Sequence, residues 1–169
     1  MKRFSFLLPL MLLAFVNAAT AACAASQTEI IVPNLDADAP ACRMRVSLKA
    51  AKCIDQVCLF PVSDGAVSEP VPLSFTCSPS STPTGFEKPA PYAKILRVRT
   101  KHASGNISLI DDIETPAATR QQDLNFCLYG KKSNLCGFSR TWKIKGKESP
   151  TVREIIDLIK RIEWDESTS

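Results

Sequence analysis

Apolar and polar positions alternate along most of this chain, and the alternation marks out one strand after another. From Cys42 the even positions Cys42, Met44, Val46, Leu48 and Ala50 are apolar, and the odd positions Arg43, Arg45, Ser47 and Lys49 are polar. That pattern predicts a strand with one buried face. Asp55-Gln56 turns it and Cys58–Val62 returns, so Cys53 faces Cys58 across a short hairpin. This register sets Ala51 opposite Phe60, whereas core-facing parity favours Ala50, and a one-residue bulge reconciles the two. After a turn at Ser63-Asp64-Gly65, Val71, Leu73, Phe75 and Cys77 alternate with Pro72, Ser74 and Thr76; Pro72 belongs at an edge or near a strand start. Residues 78–91 are rich in Ser, Thr, Pro and Gly and predict the longest loop, with Phe86 and Tyr92 as its aromatic residues.

Two hairpins follow. Leu96, Val98 and Thr100 alternate with Arg97, Arg99 and Lys101, and Ser104-Gly105-Asn106 is expected to turn the chain into residues 107–114. Leu124, Phe126 and Leu128 alternate with Asn125, Cys127 and Tyr129, and residues 130–134 turn into a strand from Leu135 to Ile144. Apolar parity there switches from Leu135 to Phe138 and Trp142, which predicts a bulge at Gly137. The last element is a helix. Val152, Ile155, Ile156, Ile159 and Ile162 recur at helical spacing, Ser149 stands as N-cap before Pro150, and Asp157 and Arg161 form an i,i+4 pair. Trp164 lies just past this stripe and is placed to close over the sheet edge. Strands followed by one helix predict an α+β domain: a mainly antiparallel sheet with a C-terminal amphipathic helix packed on it.

The N-terminus changes the picture by giving an address. Lys2 and Arg3 precede an apolar run from Phe4 to Val16, interrupted by Ser5 and followed by small residues up to Ala25. Charge, short apolar core and small-residue tail read as a secretory signal peptide over residues 1–22, with cleavage as late as 24 as an alternative. The run is shorter than the ~20 residues of a membrane span, and no later run approaches that length, so no transmembrane span is expected in the mature chain. Residues 23–40 are small, acidic and proline-rich and read as a flexible tether, within which Ile30, Ile31 and Val32 can add a short edge strand. Residues 41–165 form the single domain. Asp36 and Asp38 read as a solvated loop.

Export gives the cysteines their meaning. There are seven: Cys23, Cys42, Cys53, Cys58, Cys77, Cys127 and Cys136. Cys23 sits at the signal boundary. Thr20-Ala21-Ala22-Cys23 resembles a permissive bacterial lipobox, with Thr20 where that motif usually has Leu; the resemblance implies lipid on Cys23. Lipidation or cleavage after Ala24 each leaves an even set, which an exported chain staples as disulfides. Hairpin register pairs Cys127 with Cys136 and Cys53 with Cys58. Cys42 and Cys77 remain, both on the apolar parity of their strands, and are expected to pair across the core.

Charge and chemistry narrow the function. Net charge is +4 for the whole chain and about +2 once Lys2 and Arg3 are removed, too mild for nucleic-acid binding. No cofactor is implied: phosphate-binding Gly-rich loops are absent, and cysteine spacing with one histidine does not make a zinc site. His102 is the only histidine and reads as exposed at a turn. Asp111, Asp112 and Glu114 are the candidate general acid and base, with Asp112 and Glu114 on one face by alternation. Arg43, Arg45 and Lys49, then Arg97, Arg99 and Lys101, then Arg140, Lys143, Lys145 and Lys147 recur at outward positions. If their strands adjoin, one sheet face carries a positive stripe; otherwise they blunt strands against aggregation. The expectation is a non-enzymatic exported envelope protein, soluble in the periplasm or an outer-membrane lipoprotein, that docks a protein partner, as periplasmic immunity or inhibitor proteins and assembly adaptors do. The alternatives are an envelope-polymer hydrolase using Asp111, Asp112 and Glu114, and a small-ligand-binding lipoprotein.

Overall fold

A computed structural model describes residues 27–47, 52–61, 70–86, 90, 92–117 and 120–165. The expected signal peptide, its cleavage sites, Cys23 and the bulge at Ala50 and Ala51 lie outside these residues. The described chain is mostly antiparallel β-sheet with one short helix. Its elements are β1 (Gln27–Val32), β2 (Cys42–Ser47), β3 (Lys52–Ile54), β4 (Val57–Phe60), β5 (Val71–Pro79), β6 (Lys94–Arg99), β7 (Ser104–Asp111), β8 (Gln121–Tyr129), β9 (Ser133–Ile144), β10 (Lys147–Glu148), α1 (Pro150–Lys160) and β11 (Glu163–Asp165).

The strands form two sheets. The small one runs β1-β2-β11, and the large one runs β3-β4-β5-β9-β8-β7-β6, with β10 hairpinned onto β9. The β9–β10 turn is Lys145-Gly146, both at positive φ (50° and 75°), the geometry a two-residue hairpin loop demands. The segment read as a tether contributes β1, whose Ile30 and Val32 are buried opposite Met44 and Cys42 of β2. Trp164, in β11, is buried opposite Met44 and completes this small sheet.

The buried apolar cluster includes Met44 and Val46 from β2, Leu73 and Phe75 from β5, Leu124 and Phe126 from β8, and Val152, Ile155 and Ile159 from α1. Pro150 opens α1 after Ser149, whose side chain makes no capping hydrogen bond. Arg161 does not reach the Asp157 carboxylate as expected; its Nε donates to the Asp157 carbonyl at 2.9 Å, and Lys160 takes the carboxylate at 3.5 Å.

Three cysteine pairs stand at disulfide distance: Cys42–Cys77, Cys53–Cys58 and Cys127–Cys136. The last two join directly opposed residues of the β3–β4 and β8–β9 hairpins. Cys42–Cys77 joins β2 of the small sheet to β5 of the large one. Beside it the loop after β1 docks on the same seam: Leu35 N–H donates to the Cys77 carbonyl at 2.9 Å, and Asn34 Nδ2 donates to the Pro40 carbonyl at 3.0 Å.

Two glycines behave differently from the sequence pattern. Gly105 does not turn the chain. It lies inside β7, and the turn sits at Thr100–Ala103, where Thr100 N–H donates to the Ala103 carbonyl at 2.8 Å. A Cβ on Gly105 would run into the Cys127 carbonyl, so the glycine permits close strand approach. Gly137 marks no bulge either, because β9 pairs without interruption against β5 and β8. Gly137 is opposite Phe75 on one side and Phe126 on the other. Those rings meet edge to face with centroids 5.9 Å apart, and a Cβ on Gly137 would strike the Phe126 ring and the Ser74 carbonyl. The inward parity of β9 therefore continues through small residues, with Ser139 and Thr141 fully buried, and Phe138 faces outward.

Candidate functional site

The basic residues do not make one stripe, because the strands that carry them do not adjoin. Arg43 and Arg45 lie on β2 in the small sheet, Arg97 and Arg99 on β6 at the edge of the large sheet, and Arg140 and Lys143 on β9 in its interior. Lys49 lies outside the described residues. Arg45 has Glu29 and Glu163 as its two cross-strand neighbours, so acidic and basic positions alternate across the small sheet. The turn after β6 carries Lys101 to within 3.8 Å of Glu163. Lys101, Arg45, Lys160, Arg161 and Glu163 thus share one depression of about 270 Å³. Lys160 and Arg161 there stand at the C-terminal end of α1, where cations are favourable to the helix itself.

Arg97 and Arg99 are placed differently. Both are exposed, and the positions opposite them in β7 are Asn106 and Ser104. One strand further in, Cys127 and Tyr129 stand opposite Asn106 and Ser104. The outward row from the sheet edge is therefore Arg99, Ser104, Tyr129, beside Arg97, Asn106, Cys127. A depression of about 460 Å³ opens among Arg97, Arg99, Asn106 and Tyr129. Asn106 Nδ2 donates to the Tyr129 hydroxyl at 3.2 Å, and the same hydroxyl lies 3.5 Å from Thr84 Oγ1. Neither Asn106 nor Tyr129 is marked by the sequence: Asn106 looks like a turn residue, and Tyr129 reaches it only through the β7–β8 register.

The carboxylates line a third depression, of about 390 Å³, with Tyr92, Asp123 and Arg140. Asp111 closes β7, and Asp112 and Glu114 follow in a turn, so strand alternation does not apply to them. Asp112 Oδ1 accepts from the Glu114 N–H at 3.0 Å, and its carbonyl accepts from Thr115 Oγ1 at 2.9 Å, which makes Asp112 the residue that shapes the turn. Asp111 pairs with Lys143 and accepts from Gln122 Nε2 at 2.8 Å. Burial alone would raise the Asp111 carboxyl; the hydrogen bonds from Lys143 and Gln122 and the charges of Lys143 and Arg120 outweigh it and hold the group below the usual carboxylate range. Asp123 bonds Arg140 Nε at 2.9 Å, and this pairing raises the guanidinium further.

His102 is exposed in the turn after β6. Among the described residues no group of three or more His, Cys, Asp or Glu side chains is placed to hold a metal ion, and no helix is long and apolar enough to cross a membrane. The chain matches no protein-family model, and no curated protein or solved structure is significantly similar to it.

Proposed function

We propose that this is a non-enzymatic, exported envelope protein that binds another macromolecule, in the manner of a periplasmic immunity or inhibitor protein or an assembly adaptor, either soluble in the periplasm or held at the outer membrane by lipid on Cys23. The observation that carries the reading is the pair Arg97 and Arg99, exposed and without an ion pair among the described residues while the carboxylates Asp111 and Asp123 are paired. A charge with no internal partner contributes little to its own fold and is available to another molecule. Arg43 and Arg45 lie apart from this pair, on the small sheet, and Lys101 is ion-paired with Glu163. In this reading α1 is a brace. Its apolar stripe lies against the sheets, and the segments flanking it reach both ends of β6 through Lys94–Glu148 at 2.6 Å and Lys101–Glu163 at 3.8 Å.

The test is capture from envelope extracts with the folded protein and with an Arg97→Glu, Arg99→Glu variant as bait. The expected result is a partner held by the first and lost from the second. A well-folded bait that retains no partner, and instead turns over an envelope polymer, would overturn the reading. The hydrolase alternative has the depression beside Asp111, Asp112 and Glu114 in its favour. Against it, a general acid needs a carboxyl raised above its ordinary range, and Asp111 is shifted the other way.

A further inference from the structure

β6 is laddered to β7 along its length, but its basic side chains differ: those at its two ends are ion-paired and those in its middle are not. Lys94 pairs with Glu148 and Lys101 with Glu163, whereas the Arg97 and Arg99 side chains between them make no ion pair or hydrogen bond among the described residues. Charge that only blunts a sheet edge needs exposure and nothing more. These two arginines instead border a depression of about 460 Å³ whose far wall is Asn106 and Tyr129. The small Ser104, between Arg99 and Tyr129 in the strand order, leaves that space open. Asn106 and Tyr129 hold each other through their 3.2 Å hydrogen bond, so the wall is fixed before any partner arrives.

We infer that this groove seats an extended acidic segment of a partner protein, with carboxylates at alternate positions of that segment paired to Arg97 and Arg99. The inference rests on the macromolecule-binding reading above and gives the partner its chemistry. Arg97 and Arg99 are two residues apart on one pleated face, a spacing of roughly 6.6–6.8 Å. An extended peptide repeats its side chains at the same interval, so each guanidinium fork can take one carboxylate with two parallel hydrogen bonds. Arg43 and Arg45 have the same spacing, but Arg45 is flanked by Glu29 and Glu163, which compete for its charge.

The experiment uses the whole folded protein and a fluorescein-labelled decapeptide of alternating Glu and Ser, with a Gln-Ser peptide as its neutral twin. Fluorescence anisotropy at low salt is expected to show binding of the Glu-Ser peptide only. It should weaken about ten-fold in an Arg97→Gln, Arg99→Gln variant, stay unchanged in an Arg43→Gln, Arg45→Gln variant, and weaken with added salt. Equal loss in both variants would make the attraction a general surface effect and overturn the groove, while leaving a macromolecular partner to be decided by the capture experiment. Displacement of the peptide by inorganic phosphate at comparable concentration would make this a small-anion site and overturn the peptide assignment. No binding by the unmodified protein would do the same. Near-ultraviolet circular dichroism of both variants controls for folding, and because all four arginines are exposed the fold is expected to survive.

Discussion

The seam between the two sheets and the outer groove on β6 put polar and charged groups to opposite uses. At the seam each group is tied to a named partner: Cys42 to Cys77, Asn34 to the Pro40 carbonyl, Leu35 N–H to the Cys77 carbonyl. In the groove Asn106 and Tyr129 are tied to each other, and the guanidinium groups of Arg97 and Arg99 to nothing among the described residues. The difference separates what the fold requires from what it presents. Substitution at the seam should cost stability, and substitution in the groove should cost binding alone.

The sharpest break of that comparison is the seam disulfide. Cys42 and Cys77 are 35 residues apart, against 5 for Cys53 and Cys58. Chain-entropy reasoning makes the longer loop worth about 3–4 kcal/mol and the shorter about 2. The seam bond also joins two sheets, whereas Cys53–Cys58 staples a single hairpin. A Cys42→Ala, Cys77→Ala variant should therefore melt well below a Cys53→Ala, Cys58→Ala variant in calorimetry. If the two midpoints fall equally, either the loop-length argument or the seam's importance is wrong.

Next in size is Gly137, at the centre of the large sheet. Alanine there would press its methyl group against the Phe126 ring and the Ser74 carbonyl. The ring is fully buried against Phe75 and the carbonyl belongs to a paired strand. Overpacking of this kind costs about 1–3 kcal/mol, and denaturant unfolding of Gly137→Ala should show it as a lowered midpoint at unchanged slope. A midpoint equal to that of the parent would mean β9 and β5 are not so close.

Gly137 also shows where sequence reading stops. Strand alternation around Cys42, Val71, Leu96 and Leu124 is local and legible, and so are the hairpin cysteine pairs, since each follows from a turn and a register. The reason for Gly137 lies in Phe75 and Phe126 together: Phe126 faces it across the β8–β9 hairpin, but Phe75 comes from β5, distant in sequence, and nothing near residue 137 records it. Gly105 is the same case, because its constraint is the Cys127 carbonyl. The two-sheet partition was equally hidden: the pattern marks β2 and β6 as strands but does not say that they belong to different sheets. The groove therefore depends on a register, Arg97–Asn106–Cys127, that no single stretch of sequence contains.

The Asp111–Lys143 pair tests the comparison more finely, because it is a paired charge that also borders a depression. The folded carboxyl lies below its ordinary range. A group depressed in this way contributes stability that is present above its unfolded pKa, about 4 for aspartate, and is lost as pH falls through the lower folded value. Both side chains are about one-quarter exposed, so solvent screening keeps the contribution to about 1 kcal/mol or less. Asp111→Asn should be less stable than the parent at neutral pH, and the gap should close as pH drops below about 4. A gap that persists unchanged to pH 2 would show that packing of the side chain, and not its charge, is what the variant lost.

The smallest expected effect is the one that separates presentation from architecture. Arg97→Gln, Arg99→Gln removes two charges from an edge strand whose attachment runs through Lys94–Glu148, Lys101–Glu163 and the ladder to β7. Glutamine keeps two of the three methylenes and a polar end, so the thermal midpoint should move by less than about 2 °C. Arg45→Gln is the informative partner measurement, since Arg45 sits between two carboxylate-bearing neighbours and its loss leaves Glu29 and Glu163 facing each other across β2. Its midpoint should fall further than that of the double groove variant although only one charge is removed. The reverse order, with the groove variant the less stable, would mean that Arg97 and Arg99 belong to the fold after all, and the free charge on which the docking argument stands would be gone.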